Sequence, residues 1–73
     1  MASRISTPED LGQEIRRARK ARALRLQDLA LGAGVGVRFL SELERGKPTV
    51  RLAETLRVLA ALGLTVQIED PLG

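Results

Sequence analysis

Hydrophobic residues along most of the chain recur every three or four positions, the spacing typical of amphipathic helices. The first helix is predicted at 8 to about 23, because Thr7 offers a capping oxygen and a proline follows it. A second, short helix is predicted at 27–33, where the glycines that follow end it. A third helix is predicted at 37–45 and ends at Gly46.

The segment at 52–62 has the clearest amphipathic pattern and predicts a fourth helix, which Gly63 ends. Its apolar side chains are expected to face inward: Leu52, Leu56, Leu59, Ala60 and Leu62. Together the four segments predict an all-α domain of four to five helices.

In the tail after the fourth helix, the spacing of hydrophobic residues changes from three or four positions to two. Leu64, Val66 and Ile68 alternate with polar residues, which predicts a short C-terminal β-strand. The rest of the sequence predicts no second strand, so the backbone N–H and C=O groups of this one would lack partners. We expect the strand to pair with its copy across a homodimer, with these three side chains in the interface. The alternative is a tail that docks as coil on its own helices or frays.

The predicted organisation has three parts: a flexible N-terminal arm at 1–6, a helical domain at 7–63 and a dimerisation tail at 64–73. At 73 residues the chain is one small domain, and a domain of this size often gains stability from a second chain. It contains neither cysteine nor histidine. This excludes disulfides, thiolate or imidazole metal sites, and Ser-His or Cys-His nucleophiles. We therefore expect no catalytic residues, no cofactor, no metal site and no enzyme activity.

The charge of the chain is uneven. The formal net charge is +3, and residues 1–25 hold seven of the 12 Lys and Arg but only three of the nine Asp and Glu. This asymmetry favours one basic face that suits a polyanion, although a solvated helix surface would have the same composition. No apolar run reaches the roughly 18 residues of a membrane span, and the start of the chain does not resemble a secretory signal. A cytoplasmic, nucleoid-associated location is expected, with no membrane partner.

Two short helices joined by a glycine-containing turn have the spacing of a helix-turn-helix, whose second helix enters the DNA major groove. The residues that match are Leu29-Ala30, Gly34-Val35, Leu40 and Leu43-Glu44-Arg45-Gly46-Lys47. On these residues the chain resembles the XRE/phage-repressor helix-turn-helix family. The runs 38–52 and 56–64 further resemble the HipB-like antitoxin regulators, which are DNA-binding partners of HipA-type kinase toxins.

The resemblance implies that Arg19 and Glu44 form a partly buried ion pair, which joins the first helix to the end of the third. This pair would stabilise the fold and would not contact DNA bases. The chain also departs from the family. Where the family often has Thr or Ser followed by Gln at the start of the second helix, this chain has Arg25 and Leu26. A capping oxygen and a phosphate-binding amide are therefore missing there. Gly36 likewise stands where the family often has a capping Ser or Thr.

The outward side of the third helix holds the candidates for base contact. Arg38 is expected to bind guanine O6 and N7, the alternative being a solvated side chain or a phosphate contact. Val37 is expected to touch a thymine methyl group. Ser41 and Glu42 lie one turn later, where Glu42 either accepts from cytosine N4 or excludes phosphates. Phe39, the only aromatic residue, is expected to pack, and stacking on single strands normally needs several aromatics. Phosphate contacts are expected from Arg25, Gln27, Arg45 and Lys47.

The sequence therefore predicts a homodimeric repressor that binds double-stranded operator DNA sequence-specifically. By resemblance, it would also bind and neutralise a HipA-like Ser/Thr kinase toxin and repress its own operon. Two alternatives remain open. One is a stand-alone repressor without a toxin. The other is an interaction subunit whose helix-turn-helix has lost DNA binding, as the departure at Arg25 and Leu26 suggests.

Overall fold

The computed structural model describes residues 3–73, so Met1 and Ala2 of the predicted arm lie outside the described residues. Within this range the chain forms four helices: α1 (Pro8–Ala21), α2 (Leu26–Ala33), α3 (Val37–Glu44) and α4 (Leu52–Ala61). The all-α prediction is confirmed. The predicted helix boundaries differ by at most two residues, because α1 ends at Ala21 rather than near 23. None of the helices in this range is both long and apolar enough to cross a membrane.

The starts of α1 and α2 are capped differently. Thr7 Oγ1 accepts a hydrogen bond from the Asp10 N–H at 3.0 Å, and the Asp10 carboxylate accepts from the Thr7 N–H at 3.2 Å. This is a complete capping box. At α2 the Asp28 carboxylate accepts the Arg25 N–H at 2.9 Å. Asp28 therefore supplies one hydrogen bond at the helix start where the family's capping oxygen is missing.

The described part of the N-terminal arm rests on α1. The Ser3 hydroxyl donates to the Glu14 carboxylate at 3.0 Å, and the Ser6 N–H donates to Asp10 at the same distance. Residues 3–6 are therefore in contact with the helix that they precede.

All four of these helices end with the same backbone arrangement. One residue at each end has a positive φ: the C-cap Gly34 of α2 (69°), and the residue after the C-cap in the other three, Ala23 (53°), Gly46 (87°) and Gly63 (72°). The N–H of the next residue returns to the carbonyl five positions earlier: Leu24 to Arg19 (3.2 Å), Val35 to Ala30 (3.0 Å), Lys47 to Glu42 (3.1 Å) and Leu64 to Leu59 (2.9 Å). This is the Schellman arrangement. In α1, α2 and α4 the returning residue is apolar and packs against the core, whereas in α3 it is Lys47.

The core lies between α2, which packs against α3 and α4, and α1, which packs against α3. Its buried apolar residues are Ile15, Ala18, Leu29, Ala30, Ala33, Leu40, Leu43, Val58, Leu59 and Leu62. Two glycines allow the end of α3 to approach α1. A Cβ at Gly12 would lie 2.5 Å from the Glu44 carbonyl oxygen, and a Cβ at Gly46 would lie 2.8 Å from the Glu9 Cα. The end of α3 therefore meets α1 backbone to backbone.

The predicted inward face of α4 is partly wrong. Leu52 is 69% exposed and Leu56 is 46% exposed, and Ala60 is also exposed. The residues that point inward are Thr55, Val58, Leu59 and Leu62. Because α4 carries apolar residues on every side, periodicity alone does not define one face. Packing against α2 selects the side with Thr55, whose hydroxyl is satisfied because it donates to the Arg51 carbonyl at 2.8 Å.

The predicted C-terminal strand is not formed within the single chain. Residues 64–70 are irregular, and residues 3–73 contain no strand that could pair with them. A β-strand needs a ladder of backbone hydrogen bonds with a neighbour, which one isolated tail cannot provide. Leu64 packs against the chain's own core and closes α4 through Leu59. Val66 and Ile68 are 61% and 93% exposed, so they remain on the surface.

Candidate nucleic-acid interface

The eight-residue helix α3 has one buried and one exposed side. Leu40 and Leu43 are 0% and 2% exposed and fix the buried side. Val37 is 46% exposed, Arg38 is exposed and Ser41 is half-buried. Residues three or four apart on a helix are neighbours, so these three side chains share a surface. The structure thus brings together three of the four residues proposed for base contact.

The fourth, Glu42, is paired with a residue proposed for phosphate contact. The Lys47 ammonium lies 3.3 Å from the Glu42 carboxylate. These are also the two residues whose backbone groups join at the end of α3. Hydrophobic contact usually accompanies a Schellman ending at these positions, and here an ion pair takes its place. In the free protein Glu42 and Lys47 therefore neutralise each other.

Arg19 and Glu44 form a two-pronged ion pair between α1 and the last residue of α3. Arg19 Nε and Nη2 donate to the two carboxylate oxygens at 2.7 and 3.0 Å, and Nη1 donates to the Leu24 carbonyl at 2.9 Å. The two side chains are only 12% and 6% exposed. Hydrogen bonding to Glu44 raises the pKa of Arg19 above its ordinary value. The ion pair therefore joins α1 to the end of α3.

The start of α2 presents an arginine that a carboxylate already engages. Arg25 Nε and Nη2 donate to Asp28 at 3.0 and 3.1 Å. These hydrogen bonds raise the pKa of Arg25 and lower the pKa of Asp28. Gln27 lies exposed beside them. Arg45, at the other end of the motif, is exposed as well, and no described carboxylate lies within ion-pairing distance of it.

One further side chain that the sequence did not point to packs on α3. The Arg51 guanidinium carbon, at the start of α4, lies 5.3 Å from the centroid of the Phe39 ring in α3. The same guanidinium pairs with Glu54. Arg51 and Phe39 belong to different elements, so no helical period relates them. The available signal was a lone aromatic residue on the helix expected to face DNA.

A model of the family described as a helix-turn-helix domain matches residues 10–71. The chain belongs to the helix-turn-helix family. This helix-turn-helix protein is 48% identical over 71 residues to the uncharacterized HTH-type transcriptional regulator y4mF of Sinorhizobium fredii, covering 97% of this chain and 93% of the relative. It is 46% identical over 57 residues to the HTH-type transcriptional regulator DdrOP3 of Deinococcus deserti, covering 77% of this chain and 43% of that relative.

Solved structures of HipB share the fold of this helix-turn-helix protein. HipB in complex with an O4 20mer superposes with a TM-score of 0.86 at 20% identity, covering 96% of this chain and 99% of that chain. HipB in a HipA-HipB-O2-O3 complex gives the same values. At this identity the match shows the fold alone.

These findings establish the class of protein. The chain is a DNA-binding helix-turn-helix transcriptional regulator, and the two named relatives are regulators rather than enzymes. Helices α2 and α3 form the motif, in which the second helix is the one that enters the major groove. We therefore call α3 the recognition helix.

Proposed function

We propose that this regulator is a homodimeric repressor that reads a palindromic operator through the recognition helix. The observation that carries the proposal is the exposed side of α3, where Val37, Arg38 and Ser41 lie together. A guanidinium can bind guanine O6 and N7 at once, and an apolar side chain can contact the thymine methyl group. Arg38 suits the first role, because no described carboxylate competes for it. A dimer bound over promoter DNA would block polymerase.

The groups at the two ends of the motif are proposed to contact phosphates. Arg45 and Gln27 are exposed and available, whereas Arg25 and Lys47 would exchange a carboxylate partner for a phosphate on binding. When Lys47 binds a DNA phosphate, the Glu42 carboxylate is released and can accept a hydrogen bond from cytosine N4. This exchange makes part of the phosphate contact conditional on breaking an ion pair.

Dimerisation is proposed to use the tail. Val66 and Ile68 are large apolar side chains on the surface of a small domain, and the backbone of residues 64–70 has no ladder partner within the described chain. A second tail, antiparallel across a twofold axis, would satisfy both. Two recognition helices held by such a dimer would reach successive major grooves.

The regulator is further proposed to act as the antitoxin of a HipA-like Ser/Thr kinase and to repress the operon that encodes both. The support is the fold shared with HipB, which has been solved in complex with HipA and DNA. A kinase reading frame beside this gene favours the pairing. Co-expression with that kinase tests it: a complex that co-purifies and restores growth is expected. Growth arrest unrelieved by this chain would leave a stand-alone repressor.

Selection of duplexes from a randomised pool tests operator reading directly. The purified protein is expected to retain a palindrome with half-sites about one helical turn apart. Affinity for the selected duplex is expected to fall steeply with added salt, because phosphate contacts release counterions. A pool without enrichment, together with salt-insensitive binding to a protein partner, would identify an interaction subunit instead.

A further inference from the structure

The recognition helix and α4 have little direct packing. The extensive helix contacts are those of α1 with α3, of α2 with α3 and of α2 with α4. The side-chain stack between Arg51, the residue that precedes α4, and Phe39 in the first turn of α3 therefore adds a contact between two elements that are otherwise connected by the segment 45–51 and by their shared packing on α2. Phe39 adjoins Arg38, the residue proposed to read guanine.

Arg51 makes backbone and side-chain contacts although its side chain is 71% exposed. Its carbonyl accepts from both the Thr55 N–H at 3.1 Å and the Thr55 hydroxyl at 2.8 Å. Thr55 is only 2% exposed, so the backbone of Arg51 is fixed to the core side of α4. Its guanidinium lies over the Phe39 ring with its centre 5.3 Å from the ring centroid. The edge of the guanidinium donates to the Glu54 carboxylate, with Nη2 at 2.9 Å.

The charge of Arg51 is already compensated. The hydrogen bond with Glu54 raises the pKa of Arg51 and lowers the pKa of Glu54, so the pair stays ionised and neutral overall at working pH. Arg38 and Arg45 have no such partner within ion-pairing distance among the described residues. Arg25 is paired with Asp28 in the same way, so the feature that distinguishes Arg51 is the Phe39 ring under its guanidinium. A phosphate contact would have to break this stack, which instead suits Arg51 to holding a neighbouring element.

We propose that Arg51 is a positioning residue, which fixes the first turn of the recognition helix relative to α4 and sharpens operator discrimination through Arg38. The residues at the start of a recognition helix are those that reach base edges. The contact of Arg51 with Phe39, which we call the tether, therefore acts at the turn of α3 where a small rotation of the helix would move the base-contacting side chains. This inference rests on the proposed operator binding, but its structural half is testable without DNA.

The free protein tests the tether. Phe39 is the only aromatic residue and the chain has no histidine, so ring-current shifts of the Arg51 side-chain protons in NMR spectra report this stack alone. Arg51→Ala is expected to change the residual dipolar couplings of α3 relative to those of α4. The matched control is Arg17→Ala, which removes an arginine from the exposed pair with Glu14 in α1. Absent ring-current shifts, or α3 couplings equal in both variants, would overturn the proposal.

The selected duplex tests the consequence. The ratio of affinities for that duplex and for one mismatched at the Arg38 base pair is expected to fall about two- to fivefold in Arg51→Ala. The slope of log affinity against log salt concentration should be the same in Arg51→Ala as in Arg17→Ala. Phe39→Leu should lower the affinity ratio by a similar factor. Equal loss on both duplexes, with a slope reduced by about 0.9, would make Arg51 a phosphate contact and overturn positioning. If wild-type protein selects no duplex, operator reading fails, while the dipolar couplings still decide the tether.

Discussion

Arg19 donates to both carboxylate oxygens of Glu44, at 2.7 and 3.0 Å, across the junction between α1 and the end of α3. The two side chains are 12% and 6% exposed, so removing one leaves the other charge poorly solvated. Arg19→Met is expected to lower the free energy of unfolding by about 3 kcal/mol, measured by urea denaturation. The double variant Arg19→Met/Glu44→Leu should recover most of this loss. A double variant as unstable as the single one would contradict this account.

Gly46 is expected to tolerate no side chain. Its φ is +87°, and an added Cβ would lie 2.8 Å from the Glu9 Cα, which is backbone and cannot swing away. Gly46→Ala should therefore lower the free energy of unfolding by about 2–4 kcal/mol. Gly34→Ala is the matched control, because its φ is +69° but a Cβ there would meet nothing within 4 Å. It should cost only about 1 kcal/mol, and equal melting temperatures for the two variants would show that the contact with Glu9 is unimportant.

Ala23 is the one described residue other than glycine with a positive φ, at 53°, and it ends α1 where glycine is the usual choice. Ala23→Gly is expected to raise the free energy of unfolding by about 0.5–1 kcal/mol, since relief of left-handed strain outweighs the added freedom of the unfolded chain. Ala21→Gly, within the last turn of α1, should instead lower it by a similar amount. Thermal melts of both variants decide whether the sign reverses over two residues.

The proposed roles of Arg38 in base contact and of Arg45 in phosphate contact predict different binding defects. Arg38→Ala should cost about 1–3 kcal/mol on the selected operator and relax preference at one base pair in each half-site. Arg45→Ala should weaken all duplexes alike and reduce the salt slope by about 1. Fluorescence anisotropy on matched and mismatched duplexes at several salt concentrations separates the two. The same defect in both variants would refute the assignment.

The proposed dimer predicts that charge on the tail separates the protomers. Val66→Lys/Ile68→Lys places two ammonium groups where apolar side chains would be buried and should halve the molar mass measured by light scattering. Leu31→Lys is the control, because Leu31 is a large apolar residue, 84% exposed, that belongs to α2 and not to the tail. A molar mass unchanged by the tail variant would place the dimer interface elsewhere.

The sequence was informative wherever a local signal decides the structure. Thr7 and Asp10 indicate the start of α1, because side-chain capping depends on residue type. Gly46 and Gly63 indicate the ends of α3 and α4, because glycine adopts a positive φ readily. The end of α1 was harder to place. Ala23 adopts a glycine-like φ that its side chain does not signal.

What the sequence could not supply depends on contacts between elements. The buried face of α4 is chosen by α2, so the exposure of Leu52 and Leu56 follows from packing and not from the period of the helix itself. The stack of Arg51 on Phe39 likewise joins residues that no local rule connects. The tail shows the same limit, because a strand pattern can form a strand only when a partner is present.

Three helices of this domain end on an apolar contact with the core, while the recognition helix ends on the ion pair between Glu42 and Lys47. Kosmotropic salts strengthen apolar burial, whereas any added salt screens an exposed ion pair. Such salts therefore stabilise the ends of α1, α2 and α4 while they destabilise the last turn of α3. The proposed contact of Lys47 with a phosphate requires this same ion pair to break, so added salt lowers that cost while it also lowers the gain from the DNA phosphates. The loss of DNA affinity with salt should consequently be shallower than for a protein with the same number of phosphate contacts and no ion pair to break.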